Sequence, residues 1–232
     1  MTRFVQRVCV LVWACVLGPL VNAADAVTKR GSLVAYDAVI VRVPSKLDLI
    51  QSAKTAYVIS AEPSVVNVIT FKIHDRRLTI DAAHNFESKQ PIHITLYLPL
   101  ITCMEIQGSA EVTSKVPTHP QGFDFVHDGA GNATLLGVHS KSVSARLKGA
   151  SSIAMQGKVE VLDIDLSGSG DVRLQELHAT DAKVAVTGSG DAWVSVSKSL
   201  HANIAGTGEI RYSGSPRVVK NITGVGEVRQ SR

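Results

Sequence analysis

Four carboxylates recur at nearly equal intervals in the C-terminal half of this 232-residue chain, and they are the residues best suited to chemistry. They are Asp171, Asp191, Glu209 and Glu227, and Asn132 holds the equivalent place in an earlier copy. If the copies stack in register, neighbouring side chains lie about 5 Å apart, a spacing at which their oxygens can bind Ca²⁺. The same residue types beside glycine also satisfy turn backbone groups, and no calcium-loop spacing is present. The sequence therefore favours a surface ladder with a structural role and no cofactor, with Ca²⁺ as the alternative.

The turns that must position these carboxylates form a repeat. Seven glycine-led corners run from Gly108 to Gly224, and their leading glycines are 21, 20, 19, 20, 18 and 18 residues apart. A period this steady is typical of solenoids. Apolar and polar residues alternate through each corner, which indicates strands whose inward glycines permit sharp bends or close backbone approach. The predicted corner glycines are Gly108, Gly129, Gly131, Gly149, Gly168, Gly170, Gly188, Gly190, Gly206, Gly208, Gly224 and Gly226.

The sequence before the repeats also has strand character, and no segment after residue 23 shows helical periodicity. Turn signals such as Asp75-Arg76 separate short alternating stretches. The candidate strands span residues 35–42, 46–51, 55–61, 66–74, 77–82 and 92–98. We therefore predict an all-β protein: a right-handed, parallel, β-helix-like solenoid of about seven repeats of ~20 residues, preceded by strands that form its cap or first coils.

The first 23 residues have the pattern of a secretory signal peptide. Arg3 and Arg7 precede a 14-residue apolar run, which is shorter than a membrane span, and Ala23 offers a small residue for cleavage. An uncleaved anchor and a lipoprotein acylated at Cys15 are the alternatives. The protein is then expected to be exported across the inner membrane, to the periplasm or the outer cell surface, and not to be an integral membrane protein after cleavage.

The predicted domain organisation is simple. A signal peptide at 1–23 precedes a single solenoid domain at 24–232, because no change in composition separates the early strands from the repeats. Within this domain, residues 32–100 supply the N-terminal strands and residues 101–232 the glycine-corner repeats.

Composition excludes several functions. Removal of the signal leaves 209 residues with 22 basic and 20 acidic side chains, which gives no electrostatic case for nucleic acid. Cys103 is then the only cysteine, so the core rather than disulfides must stabilise the fold. The histidines lack metal-ligand spacing and are expected at the surface, although His178 and His201 hold equivalent places in adjacent coils. No nucleophile elbow, phosphate loop or zinc-protease motif is present.

Three stretches carry a resemblance to a known family: the strand at 36–41, the strand at 92–99 that leads into 106–112, and the corner series that ends at 224–229. On these, residues 32 to 230 resemble exported bacterial auto-transporter adhesins with a head GIN domain. The resemblance implies a β-solenoid and an adhesive or envelope role, and it brings no catalytic residues. Ala110 and Ser151 depart from the family pattern, which has a second corner glycine at these places.

The predicted function is binding without catalysis: an exported, adhesin-like envelope protein that presents its solenoid surface to a glycan or to an envelope or cell-surface protein. Pairing of exposed solenoid ends would give a homo-oligomer. One alternative is a carbohydrate-active enzyme of lyase or hydrolase type, which would need acids clustered with Arg or Lys on one sheet face. Another is a structural or sensory envelope component.

Overall fold

The structure, a computed structural model, describes residues 26–231 and is nearly all β. The predicted signal peptide and Cys15 lie outside the described residues. Within that range, no helix is long and apolar enough to cross a membrane. The predicted all-β, solenoid fold class is confirmed, with about six turns. Seven repeats were expected because the sequence shows seven corners, but seven corners bound only six intervals.

Seven strands precede the repeats, and they match the candidate strands closely. They are β1 (Val27–Ser32), β2 (Ala38–Val41), β3 (Ser45–Gln51), β4 (Ala56–Ala61), β5 (Ile69–His74), β6 (Arg77–Ala82) and β7 (His93–Leu98). β1 was not predicted, because its mostly exposed residues lack the alternation that marks a half-buried strand. The short helix α1 (Pro63–Val66) replaces a predicted turn and the first residue of a predicted strand. Proline at a first helical turn suits this single turn of helix.

The early strands form the first coils and the cap. β2 and β3 pair in parallel with the first repeat strand, and β6 and β7 pair in parallel with β2 and β3 on the other side. Antiparallel strands then end the stack: β5 covers β6, while β4 and β1 continue the sheet beyond β7. The N-terminal strands are therefore both coil and cap, as expected.

The repeats continue this stack in parallel register. Their strands are β8 (Cys103–Ser114), β9 (Gly122–Gly168), β10 (Asp171–Gly188), β11 (Asp191–Gly206), β12 (Glu209–Ser213), β13 (Arg217–Gly224) and β14 (Glu227–Gln230). Each winding pairs with the next, so inward residues form aliphatic ladders along the axis. Leu166, Val186 and Ile204 are one such ladder, and each is at most 2% exposed. A core of stacked, buried aliphatic side chains thus holds the coils together.

Candidate functional site

The glycine corners set the geometry of the predicted site. All seven leading glycines have positive φ, between 86° and 143°, a region that other residues rarely adopt. At Gly188, an added Cβ would also lie 2.5 Å from the carbonyl oxygen of Gly168 in the preceding coil. At Gly190, it would lie 2.7 Å from the Leu166 side chain, so the second corner glycine faces the core. At these two positions the coils are therefore stacked too closely for a side chain.

The structure brings the four predicted carboxylates into one row. Asp171 is in register with Asp191, and Glu209 with Glu227. These two pairs are joined into one row by a 2.8 Å hydrogen bond that the Glu209 N–H donates to Asp191 Oδ1. Asn132 is not adjacent to this row. Ser152 occupies the coil between them, and its Oγ accepts a 3.0 Å hydrogen bond from the Asp171 N–H.

A row of arginines, which sequence reasoning missed, lies beside the carboxylates. Arg173 contacts Asp171 at 2.9 Å, and Arg211 and Arg229 both contact Glu209. The signal was present in the sequence, since each arginine follows an acidic residue by two positions and so points to the same side of its strand. Two of the four carboxylates, Asp171 and Glu209, are therefore paired with arginines within the protein.

Trp193 completes the basic row. It lies in register between Arg173 and Arg211, and the guanidinium carbon of Arg211 is 5.3 Å from the centroid of its ring. This is a cation–π contact along the solenoid axis. The tryptophan and the arginines thus link three successive coils through their outward side chains.

The electrostatics of this cluster do not suit acid–base catalysis. Hydrogen bonding from Arg211 holds the pKa of Glu209 below its usual value, and the same contact raises the pKa of Arg211. A general acid needs a raised carboxyl pKa, and a basic residue that accepts a proton needs a lowered one. Within residues 26–231, no group of three or more His, Cys, Asp or Glu side chains is placed to hold a metal ion.

One histidine prediction is wrong. His127 is not at the surface: its side chain is fully buried, edge-on to Phe125 at 6.3 Å between ring centroids. Neither ring nitrogen has a partner in hydrogen-bonding geometry. Burial lowers the pKa of this imidazole, and the nearby backbone of Ala130 and Gly108 only partly opposes the shift. Its inward parity with Phe125 in the sequence was the signal that indicated burial.

A second histidine expectation also fails. His178 and His201 are not neighbours across adjacent coils, because the register pairs His178 with Ser195 and pairs His201 with Lys183. β10 has register shifts on both sides of His178 and Ala179. Positions that look equivalent in the sequence are therefore not opposite each other in the structure. His178 Nδ1 instead lies 3.1 Å from Ser195 Oγ.

Replacing His127 with leucine should stabilise the protein, most strongly at acidic pH. The folded state favours the neutral imidazole, so below the ordinary pKa of 6.5 the unfolded chain binds a proton more readily, and stability falls as pH drops. The leucine variant should lose a pH dependence of up to about 1.4 kcal/mol in the free energy of unfolding per pH unit. Removing two unpartnered buried nitrogens should add about 1–2 kcal/mol at neutral pH. Urea unfolding from pH 5 to 8 measures both effects.

The exposed His201 provides the control for this experiment. His201→Leu is a surface substitution and should change the free energy of unfolding by less than about 0.5 kcal/mol. A His127→Leu variant that keeps the wild-type slope would show that other groups cause it.

A surface depression lies where the cap meets the repeats. It has a volume of about 540 Å³ and is lined by Pro44, Pro91 and Gly131, among others. Lys46 and Glu111 face each other across adjacent strands of its wall, with a 3.0 Å ion pair. Two of its three charged lining residues are therefore paired with each other, and the third is Lys89.

Comparison with known proteins supports the architecture. The chain is similar to a protein from Bacteroides fragilis described as a "putative adhesin", with 19% identity over 89% of this chain and 97% of that one, and a TM-score of 0.83. It is also similar to two Parabacteroides distasonis proteins, each with a TM-score of 0.74 over 90% of this chain and 98% of that one. One is described as a "putative lipid binding protein" (18% identity) and the other as a "putative adhesin" (20%). Identities this low show the fold alone.

Among curated proteins, none matches the chain. A family model does: "Putative auto-transporter adhesin, head GIN domain" matches residues 35–216, which is most of the sequence. With its stacked glycine corners and cap strands, the chain belongs to this head GIN domain family.

Proposed function

We propose that this protein is an exported, non-enzymatic binding protein of the bacterial envelope, which presents the outer faces of its solenoid to a glycan or protein partner. The observation that carries the proposal is the filled interior. Leu166, Val186 and Ile204 belong to continuous ladders of buried side chains, so a partner must bind on the outside. Extended outer faces are the surfaces that solenoids use for recognition, and membership in an adhesin family agrees with this.

Two parallel binding assays test this proposal. The mature protein should bind either a component of a glycan array or a protein captured from envelope extracts. Capture by a protein alone would favour the structural or sensory interpretation. No reproducible binding in either assay would contradict the proposal.

An enzyme acting on polysaccharides is the second candidate, because the structure places Asp171 with Arg173 and Glu209 with Arg211 on one face. The sequence alone indicates acids at the glycine corners, not clustered with basic residues on one sheet face. However, these acidic and basic groups are paired with each other. The pKa of Glu209 is lowered and that of Arg211 is raised, so both shifts favour the charged forms. Incubation with anionic polysaccharides should therefore give no cleavage products. Products that disappear in an Arg211→Gln variant would establish the enzyme instead.

Export is part of the proposal and has its own test. Protease treatment of intact cells should digest the protein if it is on the outer surface and spare it if it is periplasmic. Either result is consistent with an envelope role. Recovery in the cytosolic fraction with an intact N-terminus would contradict export.

We also propose that the acidic row works without Ca²⁺. Arg173, Arg211 and Arg229 supply the positive charge that a cation would otherwise provide. Calcium at millimolar concentration should therefore leave the wild-type Tm unchanged. Replacing Arg211 and Arg229 with glutamine should lower the Tm by a few degrees and make it sensitive to Ca²⁺, since Glu209 then lacks both its partners. A calcium-dependent rise in the wild-type Tm would contradict this.

A further inference from the structure

Each winding turns a second time on the side opposite to its glycine corner, for example at residues 178–180. A groove follows these second corners along the solenoid, away from the carboxylate row. It consists of two depressions of about 390 and 380 Å³ that share Lys158, and we call it the corner groove. Its lining comes from six successive windings, beginning at Pro120 and ending at Ser215. At a coil spacing of ~4.8 Å, it is about 24 Å long.

The backbone explains why this corner is concave. Gly157 and Gly214 have φ of 145° and 94°, and an added Cβ at either position would overlap a carbonyl oxygen in the preceding coil. Between them, β10 has register shifts on both sides of His178 and Ala179. Missing side chains and bulges together leave a channel along the axis.

The charges of the corner groove differ from those of the carboxylate row. Its charged lining residues are Lys141, Lys158 and Glu160, and His139 and His178 also line it. Neither lysine makes an ion pair in the part of the chain that the structure describes, in contrast to Arg173 and its neighbours. The groove therefore keeps unpaired positive charge, whereas the three arginines beside the carboxylate row are paired.

Hydroxyl groups accompany these cations. Ser195 Oγ is 3.1 Å from His178 Nδ1, which fixes the ring beside the groove, and Ser197 Oγ donates a 3.3 Å hydrogen bond to the carbonyl of Ala179. Thr180 and Ser215 add further hydroxyls to the same depression. The lysines lie in the earlier windings of the groove and these hydroxyls in the later ones, and together they suit a ligand that carries both anionic groups and many hydroxyls.

We propose that the corner groove binds an extended anionic polysaccharide lying parallel to the solenoid axis, with its acidic groups at Lys141 and Lys158. This rests on the proposed binding function and deepens it. A polysaccharide fits because an extended chain can follow the groove along the axis, with its acidic groups at the lysines of two adjacent windings. It also fits because the site is a straight channel rather than a closed pocket.

The test measures binding of the mature protein to three probes: polygalacturonate, which is carboxylated, heparin, which is sulfated, and neutral dextran. We expect tighter binding to at least one anionic probe than to dextran, weakened by added salt. Replacing Lys141 and Lys158 with glutamine should weaken that binding about five- to tenfold. The matched control replaces Lys72 and Lys148, which are exposed outside the groove, with glutamine and should bind as the wild type does.

The outcomes separate this inference from the function beneath it. Equal binding of all three probes, or equal loss in both double variants, would overturn the groove assignment. The protein could instead bind only a neutral glycan or an envelope protein, equally well with and without Lys141 and Lys158. That result would also overturn the groove assignment, but the proposed binding function would stand. Absence of binding to these probes, to a glycan array and to envelope proteins would overturn both.

Discussion

Replacing Gly188 with alanine should destabilise the solenoid by about 2–6 kcal/mol. Two costs add at this position. Its φ of 117° is strained for any residue with a Cβ, which costs about 1–3 kcal/mol. The new methyl would also lie 2.5 Å from the Gly168 carbonyl oxygen, so two backbone segments must separate, at a further ~1–3 kcal/mol. Urea unfolding measures the loss, and hydrogen exchange should locate it in the coils on either side.

Gly108 offers a matched control for this prediction. Its φ of 107° is similar, but an added Cβ would meet no atom within 4 Å. Gly108→Ala should therefore cost only the backbone strain, about 1–3 kcal/mol. The difference between the two variants reports the close approach of stacked coils. Equal destabilisation would show that strain alone requires these glycines.

The sequence allowed the fold to be predicted well because strand periodicity and glycine spacing are local signals. Candidate strand 77–82 coincides with β6, and candidate strand 46–51 differs from β3 by one residue. The register of β10 was harder to predict. Its shifts around His178 arise from how the second corner packs on neighbouring coils, and this long-range contact leaves no periodic mark in the sequence.

The candidate site was predicted in part. The row of Asp171 and Asp191 follows directly from stacking equal repeats, so its geometry could be anticipated. Its chemistry depends on a second row as well, because Arg173 and Arg211 lie two residues beyond Asp171 and Glu209 and pair with them. In a parallel stack, every outward position forms a row, and adjacent rows determine each other's charge.

The C-terminal end of the solenoid differs from its interior. In β13, Val218, Lys220 and Ile222 are in register with Leu200, Ala202 and Ile204, so they occupy inward positions. The partners in β11 are buried, whereas Lys220 is exposed and Ile222 is 40% exposed. The Lys220 ammonium donates a hydrogen bond to the Val228 carbonyl. An inward-pointing charge at a sheet edge is a known means of preventing further strand pairing.

Replacing Lys220 with isoleucine should therefore make the protein self-associate. The substitution would turn the last winding into an uninterrupted aliphatic layer beside a free strand edge, and burying one more such side chain contributes about 1.5–3 kcal/mol. We expect self-association at least about tenfold stronger than in the wild type, measured by light scattering after size exclusion. Lys220→Gln keeps a polar group there and should behave as the wild type does. If the isoleucine variant also stays unchanged, Lys220 is not what prevents self-association at this end.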